Sequence, residues 1–269
     1  MNSLAVTRPN GEGANTAAQI RERGWRPLIV HTVELKPRPA AHVSDELKKE
    51  FTTGTPDWIV FMSPRSTGMF FEAANQQDGL KRTISERSRF IAVGPKTKSS
   101  LKQTGAKTVD IPRDYSSEGI AEFFSKTQAR GKRILLARSN QASDLLEEQL
   151  KALGAVVSTL RLYDSSLPSD ERSVSEFLRE LKAGNVNATL FTSALSAANL
   201  FIMSEPHLDA MELRKLLRHT LVGAIGPVTS ERLIILGVNP DLVPKRFLIE
   251  EGIANIIEAV ETRAHAVSQ

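Results

Sequence analysis

The chain has 269 residues, a formal net charge of +4 and no cysteine, with 41% hydrophobic and 25% charged residues. This composition is typical of a soluble globular protein with one large or two medium domains. The lack of cysteine excludes disulfides, thiolate metal sites and a cysteine nucleophile, and five widely spaced histidines predict no metal site.

Short apolar segments alternate with segments of helical periodicity through the first half of the chain. Apolar runs bounded by turn residues predict β-strands, and apolar residues at helical spacing predict helices. The alternation predicts βα units that build a parallel sheet. In chain order, the predicted strands are SLAVT (3–7), LIVHTVEL (28–35), WIVFM (58–62), FIAVG (90–94) and TVDIP (108–112), and the predicted helices span 14–23, 66–76, 97–104 and 117–126.

The same alternation starts again in the second half, at RILLA (133–137) and a predicted helix over 140–153 that ends before Gly154. Motifs of the first half recur here in the same order. A general strand–helix rhythm would explain the alternation but not the repeated residues, so the sequence predicts an internal duplication. The recurring residues are Phe61, Ser63 and Ser66, found 130 positions later as Phe191, Ser193 and Ser196, and the turn IAVGPKT at 91, found as GAIGPVT at 223.

Small polar residues follow the predicted strands at matching places in both halves. Ser63, Thr97, Ser193 and Thr229 each stand where a strand gives way to a helix. The carboxyl ends of parallel strands form the usual ligand-binding edge of open α/β folds, and helix N-termini there favour anions. The alternative is that each residue only caps its own helix. Four such positions predict a shared anion-binding edge.

Charge and hydropathy patterns argue against nucleic acid and membranes as binding partners. No stretch of about five or more like charges predicts a nucleic-acid arm. No apolar window reaches about 18 residues, and the start MNSLAVTRPN lacks the basic and apolar regions of a signal peptide. We therefore expect no nucleic-acid partner, no membrane insertion and a cytoplasmic location.

Common nucleotide and nucleophile motifs do not account for the chain. The segment LAVTRPNGEGANT places G-x-G-x-x-T after a strand, but the third glycine of a dinucleotide fingerprint is missing and the second half, LLARSNQASD, has none. No phosphate-loop motif, G-x-S-x-G elbow or histidine-containing triad is present. The hypothesis of a dinucleotide-dependent enzyme is therefore supported by the GEGANT segment alone.

Taken together, the matched motifs resemble the uroporphyrinogen-III synthase family, from residue 4 to about residue 260. The motifs are VTRP, FMSPRS, AVGPKT, DYSSEGI, ILLARS, LYDSS, FTS, AIGPVT and EGI. Each is short and weakly specific, but their order, spacing and duplication make the combination specific. Two departures from the family pattern are Met62, where a threonine is common, and KRFLIEEGI, which replaces the usual Pro-Thr-x-Glu-Gly turn.

The resemblance implies two similar three-layer α/β/α domains, each with a five-stranded parallel sheet of flavodoxin-like order. It also implies that the first βα unit crosses over between the halves. One domain would comprise residues 1–35 and 167–269, and the other residues 38–160. Linker strands at 30–37 and 159–168 would join them as a two-stranded ladder.

The activity that the resemblance implies is the cyclisation and dehydration of hydroxymethylbilane, a linear octacarboxylate tetrapyrrole, to uroporphyrinogen III with inversion of ring D. The family uses no cofactor and no metal. We expect a monomer that makes transient contact with hydroxymethylbilane synthase. An alternative of another class is a non-catalytic two-domain module that binds a tetrapyrrole or other polyanion.

Site residues also follow from the resemblance. Tyr163 matches the tyrosine at the end of the second linker and would protonate the departing hydroxyl, although it could instead be a packing residue of that linker. The arginines at strand ends would pair with substrate carboxylates, unless they are solvated surface residues. The implied substrate-binding residues are Arg8, Ser63, Arg65, Gly94, Thr97, Arg138, Thr192, Ser193, Ser196, Gly226 and Thr229.

Overall fold

The computed structural model describes residues 1–127 and 129–267, with side chains through residue 263. The strands are β1 (Ser3–Pro9), β2 (Arg26–Pro37), β3 (Trp58–Phe61), β4 (Arg89–Ala92), β5 (Val109–Asp110), β6 (Arg133–Ser139), β7 (Val156–Ser166), β8 (Ala188–Phe191) and β9 (Leu221–Ala224). The helices are α1 (Ala14–Glu22), α2 (Ala40–Thr53), α3 (Pro64–Ala74), α4 (Leu80–Arg87), α5 (Pro95–Gln103), α6 (Ser117–Lys126), α7 (Leu145–Ala152), α8 (Arg172–Lys182), α9 (Ala194–Ser204), α10 (Ala210–Leu217), α11 (Pro227–Ile235) and α12 (Ile249–Val267).

The chain divides into two compact units, which we call unit 1 (Met1–Leu35 with Ser166–Gln269) and unit 2 (Lys36–Ser165). In unit 1 the parallel strands lie in the order β2-β1-β8-β9, and an isolated parallel bridge joins Gly223 of β9 to Leu242. In unit 2 the order is β7-β6-β3-β4-β5, again all parallel.

Both orders correspond to the flavodoxin-like arrangement, in which the first strand lies between the second and the third. In unit 1, β1 and β2 of the first half take the first two places and are followed by strands of the second half. In unit 2 the exchange is reciprocal, because β6 and β7 of the second half take those places beside β3, β4 and β5. The predicted α/β class, duplication and crossover are confirmed.

Alternating residues along each strand explain why helices cover both faces of each sheet. In β3, Ile59 and Phe61 lie in the core cluster that includes α2, α3 and α5, while Trp58 and Val60 lie in the cluster on the other face with α6 and α7. Unit 1 repeats this arrangement. Its strands contribute alternately to one cluster with α8, α9, α10 and α11 and to another with α1 and α12.

Several elements differ from the sequence-based expectation. The helices α2, α4, α8 and α10 lie outside the predicted helices, although α8 buries Val174, Phe177, Leu178 and Leu181 at regular helical spacing. The predicted helix over 140–153 begins only at Leu145. The reason is that Arg138 donates to the Ser143 carbonyl at 2.6 Å and so holds the preceding residues in a turn.

Phe61 and its repeat counterpart Phe191 differ in their aromatic contacts. Both are fully buried, but Phe61 lies 5.1 Å from the ring of Phe70 and 6.2 Å from the ring of Phe71. Within the described residues, Phe191 has no such ring partner. We expect Phe61→Leu to lower the free energy of unfolding by about 1 kcal/mol more than Phe191→Leu.

Urea titration followed by tryptophan fluorescence measures this difference, since one of the chain's two tryptophans is buried in each unit. Trp25→Phe leaves Trp58 to report on unit 2, and Trp58→Phe leaves Trp25 to report on unit 1. Equal losses for the two leucine variants would show that the ring contacts of Phe61 add nothing beyond its buried area.

Candidate functional site

The starts of α3 and α9 are closed by the same pair of serines. The Ser63 hydroxyl accepts from the Ser66 amide at 3.1 Å, and the Ser193 hydroxyl accepts from the Ser196 amide at 3.0 Å. In return, the hydroxyls of Ser66 and Ser196 accept from the amides of Ser63 and Ser193. These capping boxes satisfy four amides at the carboxyl ends of β3 and β8. The capping alternative is therefore present at both serines.

The starts of α5 and α11 are built differently. Their N-cap residues are Gly94 and Gly226, each followed by a proline, and a glycine has no side chain that could accept from the first-turn amides. Thr97 and Thr229 lie inside these helices and are only 2% and 4% exposed. Binding of a carboxylate by either threonine stays a prediction, but what these helix starts present most directly is backbone N–H and the positive end of the helix dipole.

Tyr163 reaches the start of α3 because of a β-bulge. Arg138 pairs with Arg161 between β6 and β7, but the next residue, Ser139, pairs with Tyr163, so Leu162 is an extra residue. Strict alternation would turn Tyr163 away from the core cluster that contains Leu162. The bulge reverses the alternation, so Tyr163 packs on that cluster, and its hydroxyl lies 3.5 Å from the Ser63 hydroxyl.

The counterpart bulge in unit 1 carries no phenol. It falls between Arg8 and Pro9, where Pro9 pairs with Val33, which is the repeat equivalent of Tyr163. Both bulges therefore have the same register, and the two units differ in the side chain that each bulge presents. Only unit 2 has a proton-donating group at this place.

Unit 1 instead has a hydroxyl network at the ends of β1 and β8. The Thr7 hydroxyl lies 2.9 Å from the Ser196 hydroxyl and accepts from the Thr192 amide at 3.0 Å. The Thr192 hydroxyl donates to the Thr7 carbonyl at 2.5 Å. The predicted residues Thr192 and Ser196 are thus brought together by Thr7, which sequence reasoning missed although it lies in the VTRP motif.

Two of the three predicted arginines, Arg8 and Arg138, are already bound by carboxylates of their own unit. Arg8 contacts Glu12 at 2.6 Å. Arg138 is 4% exposed, and its guanidinium donates to Asp144 at 3.2 Å and to Glu147 at 3.1 Å. A substrate carboxylate would have to compete with these partners, and the binding roles of Arg8 and Arg138 stay predictions. Arg65 lies partly buried in the first turn of α3.

Glu147 is the carboxylate that links Arg138 to the neighbouring polar side chains. Hydrogen bonds from Lys151 and Thr159, at 2.7 Å each, together with the nearby positive charge of Arg138, hold the pKa of the Glu147 carboxyl below its usual range. This arrangement neutralises Arg138 and fixes the end of β6 against α7. It therefore gives the cluster a structural role beside the bulge that places Tyr163.

The part of the chain that the structure describes contains neither a metal-binding cluster nor a membrane-spanning helix. No cluster of three or more histidine, aspartate or glutamate side chains there could hold a metal ion. Within residues 1–127 and 129–267, every helix is too short or too polar to cross a membrane.

Sequence comparisons relate the chain to one group of proteins. The family model described as uroporphyrinogen-III synthase HemD matches residues 14–254. A relative from Methanothermobacter thermautotrophicus, provisionally named a uroporphyrinogen-III synthase, is 29% identical over 253 residues, which cover 93% of this chain and 96% of the relative. The uroporphyrinogen-III synthase of Chlorobaculum parvum is 25% identical over 251 residues, which cover 92% of this chain and 94% of the relative.

Structural comparison supports the fold. A solved structure of a mutant uroporphyrinogen III synthase from the extremely thermophilic bacterium Thermus thermophilus matches with a TM-score of 0.72, covering 97% of this chain and 100% of that one. The two sequences are 21% identical. At this identity the likeness shows a common two-domain α/β fold.

The lowered pKa of Glu147 predicts a specific loss of stability in acid. A carboxyl whose folded-state pKa is depressed stabilises the fold above its unfolded-state pKa of about 4.3, and this stabilisation is lost as the pH falls through the folded-state pKa. We expect Glu147→Gln to be less stable than the wild type at pH 7 and to approach it towards about pH 3.

Urea denaturation across this pH range provides the measurement. The matched control is Glu148→Gln, which removes the same charge from the exposed neighbouring position of α7 and should change the free energy of unfolding little. A constant difference between Glu147→Gln and the wild type from pH 7 to pH 3 would contradict the assigned charge interactions.

Proposed function

We infer that this chain, which belongs to the uroporphyrinogen-III synthase family, closes hydroxymethylbilane to uroporphyrinogen III with loss of water and inversion of ring D. The family match over residues 14–254 carries the assignment of the reaction. The enzyme is thus a cyclising lyase of tetrapyrrole biosynthesis, and its reaction needs neither an oxidant nor a reductant.

The intrinsic reactivity of the hydroxymethylpyrrole provides most of the driving force for the reaction. The hydroxymethyl C–O bond breaks, the hydroxyl leaves as water after protonation, and the pyrrole nitrogen stabilises the resulting azafulvene cation. The substituted carbon of ring D then attacks this cation to form a spiro-pyrrolenine, which fragments and closes again with loss of a proton. Without an enzyme the same cation closes to the uninverted isomer. The protein must therefore mainly impose a shape on the bilane, and holding reacting carbons in position can supply about 7 kcal/mol or more.

Tyr163 is the residue that we assign to protonation of the leaving hydroxyl. Its hydroxyl is 3.5 Å from that of Ser63. The Ser63 hydroxyl accepts from the Ser66 amide and still has its own hydrogen, which it can donate to the phenol oxygen once that oxygen has lost its proton. Such a donor would stabilise the negative charge that develops on Tyr163 as its proton leaves, which supports a role as general acid.

The helix starts at the carboxyl ends of the strands are the groups that we assign to the substrate carboxylates. The glycine-capped starts of α5 and α11 present backbone amides and a positive dipole end to an anion. Amides are suited to this task because they bind carboxylates without exchanging protons with the reacting pyrroles. We propose further that the enzyme acts as a cytoplasmic monomer and receives the bilane by transient contact with hydroxymethylbilane synthase.

The activity is tested with freshly generated hydroxymethylbilane, divided anaerobically between buffer and protein, then oxidised and resolved by chromatography into uroporphyrins I and III. We expect isomer III with the protein and isomer I in buffer. Isomer I in both samples, with a folded protein, would refute the synthase activity. Binding of the tetrapyrrole without turnover would then favour the binding-module alternative.

Tyr163→Phe tests the assigned proton donor. General acids contribute about a hundredfold or more, so we expect kcat for isomer III to fall at least about tenfold while KM changes little. Val156→Ala, an exposed residue at the opposite end of the same strand, is the matched control and should keep the wild-type kcat. An unchanged kcat in Tyr163→Phe would remove the proton-donor role but leave the synthase assignment intact.

A further inference from the structure

An aromatic side chain lies against the N-cap glycine of a helix in each unit. A Cβ atom placed on Gly94 would lie 3.4 Å from Cγ of Tyr115, and one placed on Gly226 would lie 3.3 Å from Cδ1 of Phe247. The backbone at both glycines is extended, so the conformation itself does not require glycine. A Cβ atom would be tight against the ring at Gly226, whereas at Gly94 it would meet Tyr115 at an ordinary van der Waals distance. In both units the aromatic side chain lies against the helix start.

The two rings occupy equivalent positions in the duplicated chain. Tyr115 and Phe247 are 132 positions apart, the same separation as that between Gly94 and Gly226. The motifs around them, DYSSEGI and RFLIEEGI, differ at most positions, yet each keeps an aromatic residue a few positions before Glu-Gly-Ile. The feature common to both units is therefore an aromatic ring on a glycine-capped helix start.

Neither ring is part of a hydrophobic core. Tyr115 is 48% exposed and Phe247 is 40% exposed, whereas other aromatic residues, such as Phe61 and Phe124, are buried. Leaving this apolar area in water forgoes stabilisation of about 25 cal/mol for each Å². The rings lie beside helix starts at the carboxyl ends of the strands, where the proposed function places the substrate.

The backbone around each ring is held by its own hydrogen bonds. Beside Tyr115, the Ser116 hydroxyl accepts from the Gly119 amide at 3.0 Å, and a Cβ on Gly119 would fall 2.0 Å from the Asp114 carbonyl oxygen. Beside Phe247, the Arg246 amide donates to the Glu251 carboxylate at 3.1 Å. Both rings are therefore carried on turns with a defined geometry.

We propose that Tyr115 and Phe247 are ring-contacting residues of the substrate site, each stacking on a pyrrole whose carboxylate side chains reach the adjacent helix start. This inference rests on the proposed synthase function. Every pyrrole of the bilane carries carboxylates only a few bonds away. A pyrrole that stacks on the aromatic ring therefore brings a carboxylate close to the adjacent helix start. Aromatic faces also attract cations, which favours the azafulvene cation over neutral species.

The two units share the aromatic ring and not a hydroxyl, because Phe247 has no hydroxyl. The test variants therefore either remove the ring or keep it and change only the hydroxyl. Tyr115→Leu and Phe247→Leu remove the ring but keep an apolar side chain, while Tyr115→Phe and Phe247→Tyr keep the ring. Val156→Ala in unit 2 and Ile235→Ala in unit 1 remove exposed apolar groups at the other ends of a strand and a helix.

Two readouts are needed for each variant. The first is the Kd for uroporphyrinogen III, measured by anaerobic calorimetry, which does not depend on turnover. The second is kcat/KM for isomer III from hydroxymethylbilane. We expect each leucine variant to weaken product binding by about threefold to tenfold and to lower kcat/KM at least as much, while the ring-keeping and distant variants stay within about twofold of the wild type.

The outcomes separate this inference from the function on which it rests. An active wild type whose leucine variants bind the product unchanged would overturn the ring contacts alone. Equal losses in Tyr115→Leu and Tyr115→Phe would assign the effect to the hydroxyl and also overturn them. A loss in the leucine variants that followed a lower melting temperature and was not rescued by the ring-keeping variants would show a structural role. A wild type that neither makes isomer III nor binds uroporphyrinogen III would instead refute the synthase assignment.

Discussion

The β-bulge between β6 and β7 is the constraint on which the proposed chemistry depends. Side chains of a strand alternate between the two faces of a sheet, so one extra residue reverses every later position. Leu162 is that extra residue, and because of it Tyr163 lies on the same face as Leu160 and meets the start of α3. Without the bulge, the phenol would lie on the opposite face from Ser63. The charge cluster of Arg138 and Glu147 lies next to the bulge and holds the end of β6 in place.

The two units have the same strand order but present different chemistry at corresponding positions. At the ends of β1 and β8 in unit 1, the Thr7 hydroxyl contacts the Ser196 hydroxyl and accepts from the Thr192 amide, while the Thr192 hydroxyl donates to the Thr7 carbonyl. Unit 2 has Ala137 and Met62 at the positions of Thr7 and Thr192, and it has Tyr163 where unit 1 has Val33. Duplication thus produced two edges with the same strand order, and differences at a few strand ends gave one of them a phenol and the other a network of threonine and serine hydroxyls.

Arginines at two strand ends have internal carboxylate partners that the sequence pattern did not reveal. A guanidinium at a carboxyl edge is well suited to bind a substrate carboxylate. In this chain, however, Arg8 and Arg138 meet Glu12 and Glu147 first. Because these carboxylates are supplied by turns and helices that follow the strands, the pairing is decided by how each βα connection folds. This is why we propose the backbone amides of the glycine-capped helices for the substrate carboxylates.

The sequence by itself determined the α/β class and the duplication, because these depend on the period and order of apolar segments and on motifs repeated at nearly constant spacing. The crossover of the first βα unit was expected only from the family resemblance, and the strand orders of the two units confirm it. The sequence also marked Ser63, Ser193, Gly94 and Gly226 as residues of strand-to-helix turns. Only the tertiary structure decided that Thr97 and Thr229 are buried, that Arg138 is neutralised internally, and that Thr7 joins Thr192 and Ser196. The physical reason is that burial, ion pairing and bulge register arise from contacts between segments far apart in the chain, which local patterns of residues do not encode.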